Sequence, residues 1–179
     1  MITALAIADV LLIKTVRHSD LRGWFSESYK LPDFQGRGLP AFVQDNEAMS
    51  FTRGTVRGLH FQRPPFAQAK LVRCVAGAIY DVAVDVRPGS RTFGRHTAVR
   101  LDAHDGAQLF IPEGFAHGYC TLEPDTLVQY KVSVPYAPQH ECGIIWDDPA
   151  LGIDWPVHAA GATLGAKDAV LPKFADAMF

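Results

Sequence analysis

The sequence predicts an all-β chain, a sandwich or barrel of jelly-roll type with a few short helices. Three observations carry this. Short runs rich in Val, Ile, Leu, Phe and Tyr recur from one end to the other. Gly and Pro punctuate the gaps, as in Arg87-Pro88-Gly89-Ser90 and Pro112-Glu113-Gly114. Helical periodicity is scarce.

The apolar opening MITALAIADVLLIK carries Asp9 inside it and has no basic n-region, so it reads as strand and not as a secretion signal. Strands are expected at Val10–Val16, Val43–Asn46, Thr55–Phe61, Lys70–Val75, Ala78–Val86, Thr97–Leu101, Gln108–Ile111, His117–Leu122, Leu127–Val132 and Gly143–Ile145. Short helices are expected at Leu31–Gly36 and near Ala166–Val170. Ala78–Val86 alternates well: Tyr80, Val82, Val84 and Val86 share one face, and Asp81, Ala83 and Asp85 the other. One face should be core, and the other polar or lining a cavity.

The 179 residues fit one domain spanning 1–179, with no repeat or linker to divide it. At 48% hydrophobic the chain can build a core. A formal net charge of -2 gives no global signal for nucleic acid or a membrane surface. No apolar run approaches the ~18 residues of a membrane span. Cys74, Cys120 and Cys142 are scattered, with no disulfide framework and no CxxC pair. A reducing cytoplasm is the expected compartment.

The chemistry gathers in RGLHFQRPPFAQAKLVRC, Arg57 to Cys74. Two strand-like segments there carry Arg57, His60, Gln62, Arg63, Gln68, Lys70 and Arg73. A buried cation or imidazole costs free energy unless a partner compensates. Either His60 is a satisfied core histidine beside a wet face, or the cluster serves an anionic ligand. Arg57 and His60 have opposite strand parity, so a bulge at Gly54 or Gly58 is needed to aim both one way.

Metal chemistry would use an HxH pair, but here the segment reads His60-Phe61-Gln62, and glutamine is a poor transition-metal ligand. A set of His60, His117 and a carboxylate is the remaining metal arrangement. No G-x-S-x-G, P-loop or GxGxxG occurs. What remains suits metal-free proton transfer. His60 can be a general base near neutral pH. Tyr130, in VQYKV, can be an acid on an adjacent strand, and Lys70 can stabilise an oxyanion. Arg22, Arg57 and Lys167 can hold a diphosphate. Asp168 can orient His60.

These residues, in the order RGLHFQ, AQxKLVRC, DVAVDVR, TFG, IPEGFAHGY, QYK, YxPxxE, GIIWxDP, IxWP and AKD, closely resemble the dTDP-4-dehydrorhamnose 3,5-epimerase family. The likeness runs from DLRGWFSESY near residue 20 through Asp168. The resemblance implies a cupin-like jelly roll that forms a homodimer and needs no metal or other cofactor. It implies a dTDP-linked 4-keto-6-deoxy sugar as substrate. It makes His60 the proton acceptor, paired with Asp168, and Tyr130 the proton donor, with Lys70 near the 4-keto oxygen. It puts Arg22, Phe25, Glu27, Gln44, Asn46, Arg57, His117, Glu141 and Lys167 at the substrate.

One departure stands out. Before the Tyr of YxP, relatives often carry an aromatic that stacks on the thymine of the neighbouring subunit's ligand. Here that position is Pro135, a flat ring without a π-face, leaving Tyr136 or Phe25 to substitute. Asp147 also stands in WDDP where asparagine is common. The expected function is inversion of C3 and C5 of dTDP-4-dehydro-6-deoxyglucose. Its rivals are inversion of one carbon only, a metal-dependent cupin, and a non-catalytic sugar-nucleotide-binding module.

Overall fold

The computed structural model describes residues 1–179. Its strands are β1 (Ile2–Ala4), β2 (Leu11–Lys14), β3 (His18–Asp20), β4 (Gly23–Phe25), β5 (Gln44–Ser50), β6 (Thr55–Gln62), β7 (Lys70–Ala76), β8 (Ala78–Asp85), β9 (His96–Asp102), β10 (Ala107–Ile111), β11 (Phe115–Thr121), β12 (Thr126–Val132), β13 (Glu141–Gly143) and β14 (Thr163–Leu164). One sheet runs β1-β2-β10-β7-β12-β5, and a second runs β13-β6-β11-β8-β9, with β14 added parallel to β6. The β3–β4 hairpin stands apart from both. The result is the expected jelly-roll architecture. No helix is long and apolar enough to cross a membrane.

The two sheets are joined by a core drawn from both. Val72, Leu109 and Val128 of the first meet Ile79, Ala83, Leu101 and Phe115 of the second. The expected strands fall where the alternation put them, with shifts at the ends. The opening stretch is a hairpin, β1 on β2, and Asp9 in its turn pairs with Arg87 at 2.9 Å. Gly143–Ile145 is displaced to Glu141–Gly143, although Ile144 keeps both backbone bonds to Leu59 (2.9 and 3.0 Å). The first helix forms at Leu31–Gln35. The second is only a single 3-10 turn, Asp168–Val170.

Strand β8 shows how the chain is layered. Its Asp81 and Ala83 side faces between the sheets, while Val82, Val84 and Val86 face outward. That outer face is still buried, because Ile144, Leu151, Ile153, Trp155, Phe174 and Phe179 wrap over it. Residues 144–179 therefore form an apolar cover on the back of the second sheet. That cover also delivers Asp168 to the strand carrying His60.

Candidate active site

A cavity of about 490 Å³ opens between the sheets. Period-two alternation decides what reaches it. Strand β5 sends in Gln44 and Asn46, β7 sends Lys70, and β12 sends Tyr130. From the opposite sheet, β6 contributes Arg57 and His60, and β11 contributes His117 and Tyr119, so Tyr130 meets His60 across the cavity and not from an adjacent strand as expected.

Arg57 and His60 share this cavity because β6 is bulged. His60 pairs with His117 and Arg57 with Tyr119, so three steps on β6 match two on β11. The bulge lies at Gly58, which has φ +124°. A Cβ there would lie 2.5 Å from the Gly118 Cα and 2.8 Å from the His117 carbonyl oxygen, so no larger residue fits. The same distortion turns the Gly58 N–H onto Asp168 Oδ2 at 3.1 Å. Asp168 Oδ1 then meets His60 Nε2 at 2.7 Å. Burial opposes the Asp168 charge, but the His60 contact and the Gly58 N–H outweigh it and hold the carboxyl below its ordinary pKa.

Lys70 is 7% exposed, and its Nζ donates to the His60 carbonyl at 3.1 Å. Burial pulls its pKa down to about 8, against the attraction of Asp81 and Glu141. Tyr130 is half-buried, and burial raises its phenol pKa, with Arg57 opposing. It is therefore a neutral hydroxyl at pH 7. Deeper in, His117 Nε2 meets Asp81 Oδ1 at 2.6 Å. Burial lowers the His117 pKa despite Asp81, leaving a neutral ring.

At the rim, Glu141 accepts from Tyr136 Oη at 2.5 Å and pairs with Lys167. Burial works against the Glu141 charge, and Lys167 and Tyr136 overcome it, so its pKa is lowered. Arg57 is parked on Ser50 Oγ and the Met49 carbonyl at 3.2 and 2.8 Å. Gln62, the second position of the would-be HxH pair, is committed to backbone: it donates to the Phe66 carbonyl and accepts from Ala137 N, both at 2.7 Å. His60 and His117 each hold a separate carboxylate. No group of three His, Cys, Asp or Glu converges as metal ligands would.

Ten of the residues expected at the substrate thus meet in one place: His60, Tyr130, Asp168, Lys70, Gln44, Asn46, Arg57, His117 and Glu141 line the cavity, and Lys167 sits on its edge. Arg22, Phe25 and Glu27 do not join them. Arg22 is fully outside, held by Asp20 at 2.6 Å. Phe25 and Glu27 border a different hollow with Ile13, Lys14 and Phe34. They follow β2, which lies at the other side of its sheet from β5. Tyr136, half-exposed at the cavity wall, is the aromatic available beside Pro135. Asp81 was marked only by its place on the polar face of β8. Nothing in the pattern singled out Tyr119.

The chain matches the family model described as dTDP-4-dehydrorhamnose 3,5-epimerase over residues 4–176. It is 49% identical over 174 residues to a dTDP-4-dehydrorhamnose 3,5-epimerase of Sinorhizobium fredii, covering 97% of this chain and 89% of that one. The crystal structure of the Bacillus anthracis dTDP-4-dehydrorhamnose 3,5-epimerase, with TDP and PPi bound, superposes with a TM-score of 0.93 at 43% identity, over 97% and 98% of the two chains. The Legionella pneumophila dTDP-6-deoxy-D-glucose-3,5-epimerase, in complex with dTDP-4-keto-L-rhamnose, gives a TM-score of 0.92 at 38% identity, over 97% and 92%.

The buried ammonium has a direct signature. A lysine titrating at about 8 is a cation below that pH and loses its charge as pH rises through it, well before an ordinary lysine at 10.5. Carbon-13 NMR of the lysine side chains should show one resonance with a midpoint near pH 8 that is missing from Lys70→Met. Uniform titration near 10.5 would contradict this environment.

Proposed function

Because the chain belongs to the dTDP-4-dehydrorhamnose 3,5-epimerase family, we propose that its cavity inverts C3 and C5 of dTDP-4-dehydro-6-deoxyglucose through an enolate. The protein is an isomerase. The 4-keto group acidifies the hydrogens on both neighbouring carbons. His60 removes one as a proton; the C–H electron pair becomes a C=C bond to C4, and the C4=O π pair moves onto the oxygen as the enolate. Asp168 stabilises the imidazolium that results. Lys70 places its ammonium near the enolate oxygen, where the contact is strengthened by burial. Tyr130 gives a proton to the same carbon from the other side, and the carbonyl re-forms. The imidazolium then loses its proton to solvent and the phenolate regains one from it, so the same pair acts again at the second carbon.

The observation that carries this reading is the origin of the two groups. His60 rises from β6 of one sheet and Tyr130 from β12 of the other, and both line the same cavity. A sugar ring held between the sheets has one group on each face. A base that only returns its own proton to the same face restores the starting centre, so inversion needs such a pair. Imidazole, with an ordinary pKa of about 6.5, is the better base than phenol at about 10. Arg57 and Lys167 lie where a diphosphate can be held, with Gln44, Asn46, His117 and Glu141 on the remaining polar groups. The three free cysteines support a reducing cytoplasm as the compartment.

The working unit in this reading is a homodimer. Strand β5 is a free sheet edge, and Leu21, Trp24, Phe25, Met49 and Phe51 are exposed apolar side chains. Arg22, Phe25 and Glu27 then serve the cavity of the partner, which accounts for their distance from their own. Closed two-fold dimers are also the commonest assemblies.

The roles of His60 and Tyr130 are separable in D2O. His60→Ala should abolish both product and deuterium uptake while leaving dTDP binding intact. Tyr130→Phe keeps the base, so uptake with retention should continue while inversion slows at one or both carbons. The assignment is falsified if Tyr130→Phe stops exchange at both carbons and His60→Ala leaves it running. The shared site is tested by mixing. Arg22→Ala and His60→Ala dimers, each impaired, should regain activity after subunit exchange, since one site of the mixed dimer has both residues. No recovery after verified exchange would put Arg22 in its own chain's site or in none.

A further inference from the structure

Asp168 reaches His60 from a turn held on its N-terminal side by β14, which pairs with β6 at Thr163 and Leu164. The backbone bonds of the turn itself are local, Ala169 N to the Gly165 carbonyl at 3.1 Å and Val170 N to the Lys167 carbonyl at 3.3 Å, so its other anchor lies downstream. Just beyond, Leu171 packs on Gly143, where a Cβ would lie 2.8 Å from Leu171 Cδ2. Ile145 N donates to the Pro172 carbonyl at 2.8 Å. Phe174 N then donates to Asp148 Oδ2 at 2.6 Å, and Asp148 is itself buried and accepts from Ala150 N at 2.9 Å.

From there the chain is fastened by aromatic rings. Phe174 packs between Phe93 and Phe179, both with centroids at 5.1 Å. Its ring lies over Gly94, where a Cβ would be 3.2 Å from Phe174 Cζ. Phe179 stacks nearly parallel on Phe61 at 6.0 Å. Phe61 is the neighbour of His60 on β6. The path that leaves the base through Asp168 therefore returns, through three phenylalanines, to the residue beside the base.

We propose that Phe174 and Phe179 are positioning residues for the His60–Asp168 pair, clamping the segment after residue 165 against β6 and β13 so that Asp168 stays within hydrogen-bond distance of His60. This rests on the reading of that pair as the epimerase base. Neither ring lines the cavity, so their effect passes through Asp168 on one side and through Phe61, which does line it, on the other. A displacement of about 1 Å at a reacting group can cost on the order of a hundredfold in rate. Loosening the clasp should therefore lower turnover more than it lowers ligand affinity.

The test compares Phe174→Ala, Phe179→Ala and Phe174→Leu with Asp168→Asn in the full chain. Turnover, KM, dTDP affinity and the downfield proton NMR signal of the His60–Asp168 hydrogen bond are read for each. Both alanine variants should lower kcat on the order of tenfold or more, leave dTDP affinity unchanged, and broaden or remove the downfield signal. Phe174→Leu, which refills the apolar space, should restore most of both. If Phe174→Ala does not fold, Phe179→Ala decides. Lowered thermal stability with an unchanged kcat and an unchanged downfield signal would overturn the proposal. If Asp168→Asn is itself fully active, the base assignment fails. If Asp168→Asn is crippled and both alanine variants are not, the clasp alone is wrong.

Discussion

The site depends on one distortion, the bulge at Gly58. It turns Arg57 and His60 to the same side of β6, and it frees a backbone N–H for Asp168. It is permitted by the absence of a side chain, since a Cβ would collide with the backbone of Gly118 and His117. Two glycines thus face each other across β6 and β11, neighbouring strands of one sheet, where the bulge brings the two backbones close. The positions of Arg57, His60 and Asp168 are all set by that contact. A regular strand would have left either the arginine or the histidine on the wrong face.

Around this point the charges are arranged so that few are left uncompensated. Burying Lys70 is unfavourable in itself, and Asp81 and Glu141 offset part of the cost without bonding it. Asp81 also fixes the His117 ring, while its second oxygen is buried with no hydrogen-bond partner. Such a carboxylate is stabilised chiefly by nearby positive charge. The Lys70 ammonium itself has no direct carboxylate contact and donates only to the His60 carbonyl. Outside, Glu141 joins Tyr136 and Lys167 in a rim network, so the mouth is ordered as well as polar.

The fold class was legible because short apolar runs recur between Gly and Pro turns; β5 alternates in burial, whereas β8, β10 and β11 are buried almost throughout. The Tyr80–Val86 run gave the right pairing of faces, but not which one looks inward. Both faces of β8 are buried, and the cover on the outer one comes from residues 144–179, which have almost no regular structure to announce themselves. The β3–β4 hairpin was missed for a related reason: it is short and exposed, and even its Trp24 and Phe25 have no buried face to impose a pattern. In the site, His60, Lys70 and Tyr130 stood out as polar residues at strand positions. Asp168 could be offered as a partner for His60 on its chemistry, but no spacing tied the two, because they are far apart in sequence and meet through a 3-10 turn. Parity correctly required a bulge between Arg57 and His60. It could not choose between Gly54 and Gly58, since that depends on what lies across the sheet.

The central claim is that one cavity, with a base on one wall and a donor on the opposite wall, inverts both carbons beside the keto group. The most direct measurement is NMR of the product after the wild-type protein acts on dTDP-4-dehydro-6-deoxyglucose in D2O. The account predicts deuterium at both C3 and C5, each in inverted configuration. Label and inversion confined to one carbon, or binding with no label at either, would contradict it.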